Sequence, residues 1–212
     1  MIIKIKKMTK YKGSVKEFDE NWKKSSESSI EYWTRKEPKN QTQYSFKNLW
    51  SLFKEIIRIN KIKGKEVIEI GSGRGTMSSY FADNGYKVHL LDSSKKAIDI
   101  SKKIFKKNKH QATFTHSVLE EFKIDKKFDI LFSIGLMEHY KNINDPLLLQ
   151  TKLLKKNGLF LSYVVPDYKL QNVQKDYLFV NKILETLFKS EKLKNYKSNV
   201  YRNTLSSKYY KK

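Results

Sequence analysis

Apolar residues recur along this chain in two rhythms. Phe46, Leu49, Trp50, Phe53, Ile56 and Ile57 fall on one face of a helix that the spacing ends near Lys63 and Gly64. Val67, Ile68 and Ile70 then form a short run of strand type, which meets a glycine-rich turn at Gly71 to Gly75. Met77, Tyr80 and Phe81 restart the helical rhythm until Asn84 and Gly85 end it. The alternation continues with a strand at Lys87 to Leu91, a helix marked by Ala97, Ile100 and Ile104, and strands at Thr113 to His116 and Asp129 to Ser133. Pro146, behind Asp145, is expected to open a helix at its first position, and Asn157 with Gly158 to close it. Leu159 to Val165 is apolar throughout, as a fifth strand covered on both faces would be.

Strands alternating with helices at this spacing predict an α/β fold. The expected form is a Rossmann-like, doubly wound and mainly parallel sheet with helices on both faces and right-handed crossovers. Ligands of such sheets sit outside the carboxyl ends of the strands. The site is therefore expected just after Ile70, Leu91, His116 and Ser133. Three regions follow: an N-terminal helical cover over 1–63, a ligand-binding core over 64–166, and a helical C-terminal extension over 167–212.

Charge changes this picture less than its size suggests. Among 212 residues, 44 are basic and 22 acidic, a formal net charge of +22. Nucleic acid is the first partner such a value suggests. Only Arg35, Arg58, Arg74 and Arg202 are arginine, however, and lysine lacks the planar fork that suits phosphate. The excess is also heavier at the ends, with +9 over 1–63 and +7 over 166–212 against +6 in the longer centre. A bias toward lysine on solvated faces accounts for it as well as a polyanion partner does. The absence of cysteine excludes disulfides, thiolate metal sites and cysteine nucleophiles; no metal is expected. Neither a membrane-spanning run nor a secretion signal stands in the sequence, and the expected location is the cytoplasm.

The segment Glu69-Ile70-Gly71-Ser72-Gly73-Arg74-Gly75 carries the most chemical information. Its glycines let the backbone turn sharply and approach a ligand where a helix begins. Thr76 stands where a dinucleotide fingerprint would place glycine or alanine, which disfavours a hydride-transferring dehydrogenase. Asp92 follows Gly71 by 21 residues, near the spacing of an acid that holds a ribose diol; capping the next helix is its plainer role.

Four segments in order resemble the class I S-adenosylmethionine-dependent methyltransferases, in particular their small-molecule branch. They are VIEIGSGRG at Val67 to Gly75, LLDSSKKAI at Leu90 to Ile98, FDILFSIGLMEHY at Phe128 to Tyr140, and LLKKNGLFLSYVVP at Leu153 to Pro166. The resemblance implies S-adenosylmethionine as cofactor, with methyl transfer to a small or medium-sized acceptor at oxygen, nitrogen or carbon. It places Glu69, Gly71, Ser72, Gly73 and Gly75 around the methionine part, Asp92 and Ser93 at the ribose, Ser117 and Val118 at the adenine, and Ser133 at the end of the fourth strand. His139 borders the acceptor pocket, either as a general base or as a structural hydrogen-bonding group.

Two departures stand out. Where the family commonly has an acid after the third strand to hold the adenine amine, this chain has Ser117 or Val118. The expected terminal hairpin is not found either. Val180, Ile183, Leu184, Leu187 and Phe188 form a helical pattern, and the chain stops soon after Leu205 to Tyr210, as a truncated product would. The aromatic cluster of Trp22, Trp33, Trp50, Tyr11, Phe18, Tyr32, Tyr44 and Phe46 suits either a cover packed on the sheet or a lid over the acceptor. The alternatives are an RNA methyltransferase using the lysine-rich flanks, or an inactive cofactor-binding or interaction protein.

Overall fold

A computed structural model describes residues 12–24 and 32–164. Helix α1 (Lys12–Lys24) comes first, and α2 (Gln41–Ile59) follows after the intervening segment. Asn40 caps α2 by accepting the Gln43 N–H at 2.9 Å, so the helix begins five residues before the first apolar position of its stripe. The core alternates as β1 (Glu66–Ile70), α3 (Thr76–Asp83), β2 (Lys87–Asp92), α4 (Lys95–Lys107), β3 (Ala112–His116), β4 (Phe128–Ile134), α5 (Asn144–Thr151) and β5 (Leu154–Tyr163). The five strands are all parallel, in the order β3-β2-β1-β4-β5.

Side chains of successive strand residues point to opposite faces, and two apolar layers result. Val67, Leu90, Ile130 and Phe132 face α2, α3 and α4, through Trp50, Phe53, Phe81 and Phe105. Phe81 stacks on Phe132 at 4.9 Å and meets the Trp50 ring edge-on at 4.9 Å. Ile68, Ile70, Leu91 and Leu131 face the other way, against Leu119, Phe122 and Leu153. Trp33 and Trp50 are therefore core residues, 7% and 6% exposed. No helix among the described residues is long and apolar enough to cross a membrane.

The last helix and strand depart from expectation. Helix α5 starts at Asn144 rather than Pro146 and ends at Thr151. Asp145 is thus inside the first turn, held by Asn142 Nδ2 at 3.1 Å, and Pro146 is the third helical residue, where a missing N–H costs nothing. Asn157 and Gly158 do not close the helix. They lie inside β5, in a bulge where Asn157 takes a φ of 63°. Strand β5 is also not covered on both faces by the described residues: only Leu161 of its ten residues is buried. It is the edge of the described sheet: among the described residues no strand lies beyond it. The helical pattern at Val180 to Phe188 and the question of the terminal hairpin lie outside the described residues.

Candidate functional site

The strand order reverses between β1 and β4, and the crevice in which sheets of this kind hold ligands lies outside the carboxyl ends of those two strands. The turn after β1 is tied to β2: Gly71 and Ser72 both donate backbone N–H groups to the Leu91 carbonyl, at 2.8 and 3.1 Å, and Gly75 donates to Ser72 at 2.7 Å. Gly73 and Gly75 take left-handed angles, φ 51° and 68°, which cost a residue with a side chain roughly 1–2 kcal/mol. Space excludes a side chain too. A Cβ on Gly75 would stand 2.5 Å from Leu90 Cδ2, and one on Gly73 would stand 2.9 Å from Trp22 Cζ2.

Asp92 joins the two turns. Its Oδ2 accepts the Gly73 N–H at 2.7 Å and its Oδ1 the Ser94 N–H at 2.8 Å. Ser94 caps α4, since its hydroxyl accepts the Ala97 N–H; the capping role weighed for Asp92 belongs to its neighbour. Burial, with a small addition from Asp19, holds the Asp92 carboxyl above its ordinary value, and the Ser94 and Gly73 amides and His116 offset part of that rise. A carboxylate offers about four lone-pair sites. Two are spent here, and two remain.

The other expected residues separate into groups. Ser72 is buried, and its hydroxyl has no hydrogen-bond partner among the described residues. Ser117 donates its N–H to the Asp92 carbonyl at 3.0 Å and its hydroxyl to the Val118 carbonyl at 3.0 Å. His116 Nε2 lies 3.1 Å from the Ser93 carbonyl, which ties the ends of β2 and β3 together. Glu69 sits behind the turn, 3% exposed, and accepts the Ser78 hydroxyl at 2.5 Å. Burial pushes its carboxyl up to about 8, so near neutrality it holds a proton. Ser133 is fully buried, with its hydroxyl 3.1 Å from that of Ser162 on β5.

His139 ends a short 3-10 turn over Met137–His139 and is 8% exposed. Its ring meets Phe18 edge-on, with centroids 4.8 Å apart. Phe18 belongs to α1, which carries two aromatic residues of the expected cover, Phe18 and Trp22, and one residue that the sequence did not single out, Asp19. From the same helix, Trp22 closes over Gly73 and Asp19 Oδ1 accepts the Ser94 hydroxyl at 2.8 Å. Arg74, in the glycine turn, lies 5.8 Å from the Trp22 ring and 4.9 Å from that of Tyr32. The signal for α1 was present in the sequence: Val15, Phe18 and Trp22 at i, i+3 and i+7, with Asp19 and Lys23 paired at i, i+4 and 2.6 Å apart.

The architecture has known counterparts. It is similar to an S-adenosylmethionine-dependent methyltransferase from Clostridium acetobutylicum, with a TM-score of 0.56 at 14% identity over 74% of this chain and 60% of that one. It is also similar to the magnesium protoporphyrin IX methyltransferase of Synechocystis, crystallised with S-adenosylhomocysteine, with a TM-score of 0.52 at 19% identity over 68% and 69% of the two chains. At such identities the likeness is one of fold. In sequence, the chain is 31% identical over 140 residues to the ubiquinone biosynthesis O-methyltransferase of Pelagibacter ubique, covering 64% of this chain and 58% of that one. It is 26% identical over 141 residues to the enzyme of the same name from Rickettsia conorii, covering 60% and 49%. The chain thus spans about half the length of these curated relatives. A family model described as a methyltransferase domain matches residues 41–207. That match takes in most of the sequence and the whole crevice from Glu69 to His139, and with it the chain belongs to the class I methyltransferase-domain family.

Proposed function

We propose that this chain uses S-adenosylmethionine to methylate a small or medium-sized acceptor, by in-line displacement and at an oxygen atom. The arrangement around Asp92 carries the reading: a buried carboxylate, fixed by the Gly73 and Ser94 amides, keeps two lone-pair directions for a vicinal diol. The names of the two relatives, both O-methyltransferases, favour oxygen among the possible nucleophiles.

The residues present fit the cofactor. The glycines of the turn present bare backbone, with Trp22 lying over Gly73, and the Ser72 hydroxyl is a buried group without a hydrogen-bond partner among the described residues. Gly71, Ser72, Gly73 and Gly75 would border the methionine part, with Glu69 behind them. Asp92 and Ser93 would hold the ribose, and Ser117 with Val118 would frame the adenine. Ser133 serves the site indirectly, by tying the end of β4 to β5. When bound, S-adenosylmethionine supplies an electrophilic methyl on a sulfonium. The chain then has to orient the acceptor, exclude water and take the proton of an acceptor hydroxyl, a proton that this reading assigns to a ring nitrogen of His139.

Calorimetric titration of the full chain tests the reading. S-adenosylmethionine and S-adenosylhomocysteine are expected to bind, and Asp92→Ala to weaken both by a hundredfold or so, as loss of a bidentate charged acceptor does. Absence of binding at millimolar cofactor would overturn it. A panel of small hydroxylated acceptors then identifies the nucleophile.

A further inference from the structure

We infer that Asp19, on α1, is a cofactor-contacting residue that recognises the adenosyl half of the ligand. The inference rests on the cofactor reading above and adds to it a residue that lies outside the core's own motifs.

Three observations converge on this carboxylate. First, the two positions that directly follow β3, Ser117 and Val118, carry no acid, and the hydroxyl of Ser117 is already given to the Val118 carbonyl. Second, Asp19 stands beside that gap. It accepts the Ser94 hydroxyl at 2.8 Å, Ser94 donates its N–H to Asp92, and Ser93 next to it is tied to His116 at the end of β3. The field of His116 reaches Asp19, and the charge of Asp19 in turn reaches Asp92. Third, Asp19 is ionised and only partly spent: hydrogen bonds from Lys23 and Ser94 hold its carboxyl below the usual range. Those two donors leave about half of its acceptor directions open.

Two carboxylates on either side of Ser94 repel one another, and each donor added to those they already have, Lys23 at Asp19 and the Gly73 amide at Asp92, relieves that repulsion further. An adenosyl group brings such donors, in its ribose hydroxyls and its exocyclic amine. Pinning α1 to α4 is the simpler role for Asp19, and it leads to different results. A pin needs only the bond to Ser94, which an asparagine oxygen also accepts. A ligand contact needs the negative charge.

The test titrates the full-length protein with S-adenosylhomocysteine and with 5′-methylthioadenosine, a probe that carries the adenosyl half alone. The variants are Asp19→Asn, Asp19→Ala and Ser94→Ala, with the intrinsic fluorescence of Trp22 as a monitor of the docked helix. If Asp19 contacts the ligand, Asp19→Asn weakens both probes about tenfold or more with the Trp22 signal of the free protein unchanged, while Ser94→Ala, which keeps the charge, costs less than threefold. The inference is overturned if Asp19→Asn binds both probes like the parent, or if affinity falls only in variants that lose the docked-helix signal. Failure of the parent protein to bind either probe would instead overturn the cofactor reading.

Discussion

Trp22 lies so close to Gly73 that a β-carbon there would come within 2.9 Å of its indole ring. The contact joins α1 to the turn that opens the sheet's ligand crevice, so a ligand lying on that turn must share the space with the indole. Titration with S-adenosylhomocysteine is therefore expected to change tryptophan emission. Trp33 and Trp50 are buried in the core and should stay silent. Trp22→Phe should abolish the change while binding persists; an unchanged response in that variant would show that the indole does not meet the ligand.

Gly73→Ala meets two obstacles, the left-handed φ of 51° and the Trp22 ring. The first alone costs roughly 1–2 kcal/mol. Cofactor affinity is expected to fall at least tenfold, measured by calorimetry. Combining Gly73→Ala with Trp22→Ala should recover the steric part and leave the backbone part, so recovery to the parent value would show that the φ angle does not matter.

Glu69 and His89 give stability opposite dependences on pH. Burial raises Glu69 from its ordinary 4.5 to about 8, so between those values the folded chain holds a proton that the unfolded chain has lost, and stability falls as pH rises. His89 is buried beside Thr115 and is pushed down from 6.5 to about 4 by burial and by Lys126. In that window the unfolded chain is the one holding the extra proton, and stability falls as pH drops. The two oppose each other below about 6.5, which leaves Glu69 to act alone up to about 8. Melting temperature should decline over that upper interval and Glu69→Gln should flatten the decline; an equal slope in the variant would place its origin elsewhere.

Phe132 is fully buried and stacks on Phe81. Phe132→Ala leaves a cavity in the layer between the sheet and α2 and α3, and denaturant unfolding should show a loss of about 3–5 kcal/mol. A loss below about 1 kcal/mol would mean that Trp50 and Phe53 collapse into the space.

Much of the sheet was legible because doubly covered strands read as short apolar runs. Val67 to Ile70 and Asp129 to Ser133 were placed to within a residue or two. Where side chains compete with punctuation, reading failed. Asn157 and Gly158 look like a helix end, yet a bulge also uses a left-handed residue, and only pairing with β4 distinguishes the two. Pro146 looks like a first helical residue, but its ring is tolerated anywhere in the first turn. Within the candidate site, Asp92 and the glycines were visible because their spacing along the chain carries the chemistry. Asp19 was not, because it reaches Ser94 from 75 positions away, and Phe18 was read only as part of an aromatic cover or lid, without its partner His139, which lies 121 positions on. Nothing local marks such a meeting.

The bulge in β5 has a mechanical consequence. From Phe128 to Ile130, β4 advances two positions while β5 advances five, from Leu154 to Leu159, before the register runs on unbroken to Ser162 and Tyr163. Slack therefore collects on the side away from the crevice, where Asp129 fastens Lys155 at 3.0 Å and the Glu66 N–H at 3.0 Å. Added or deleted residues there alter the size of a loop and leave Ser162 opposite Ser133. The strand end beside the crevice is thus insulated from changes in chain length behind it.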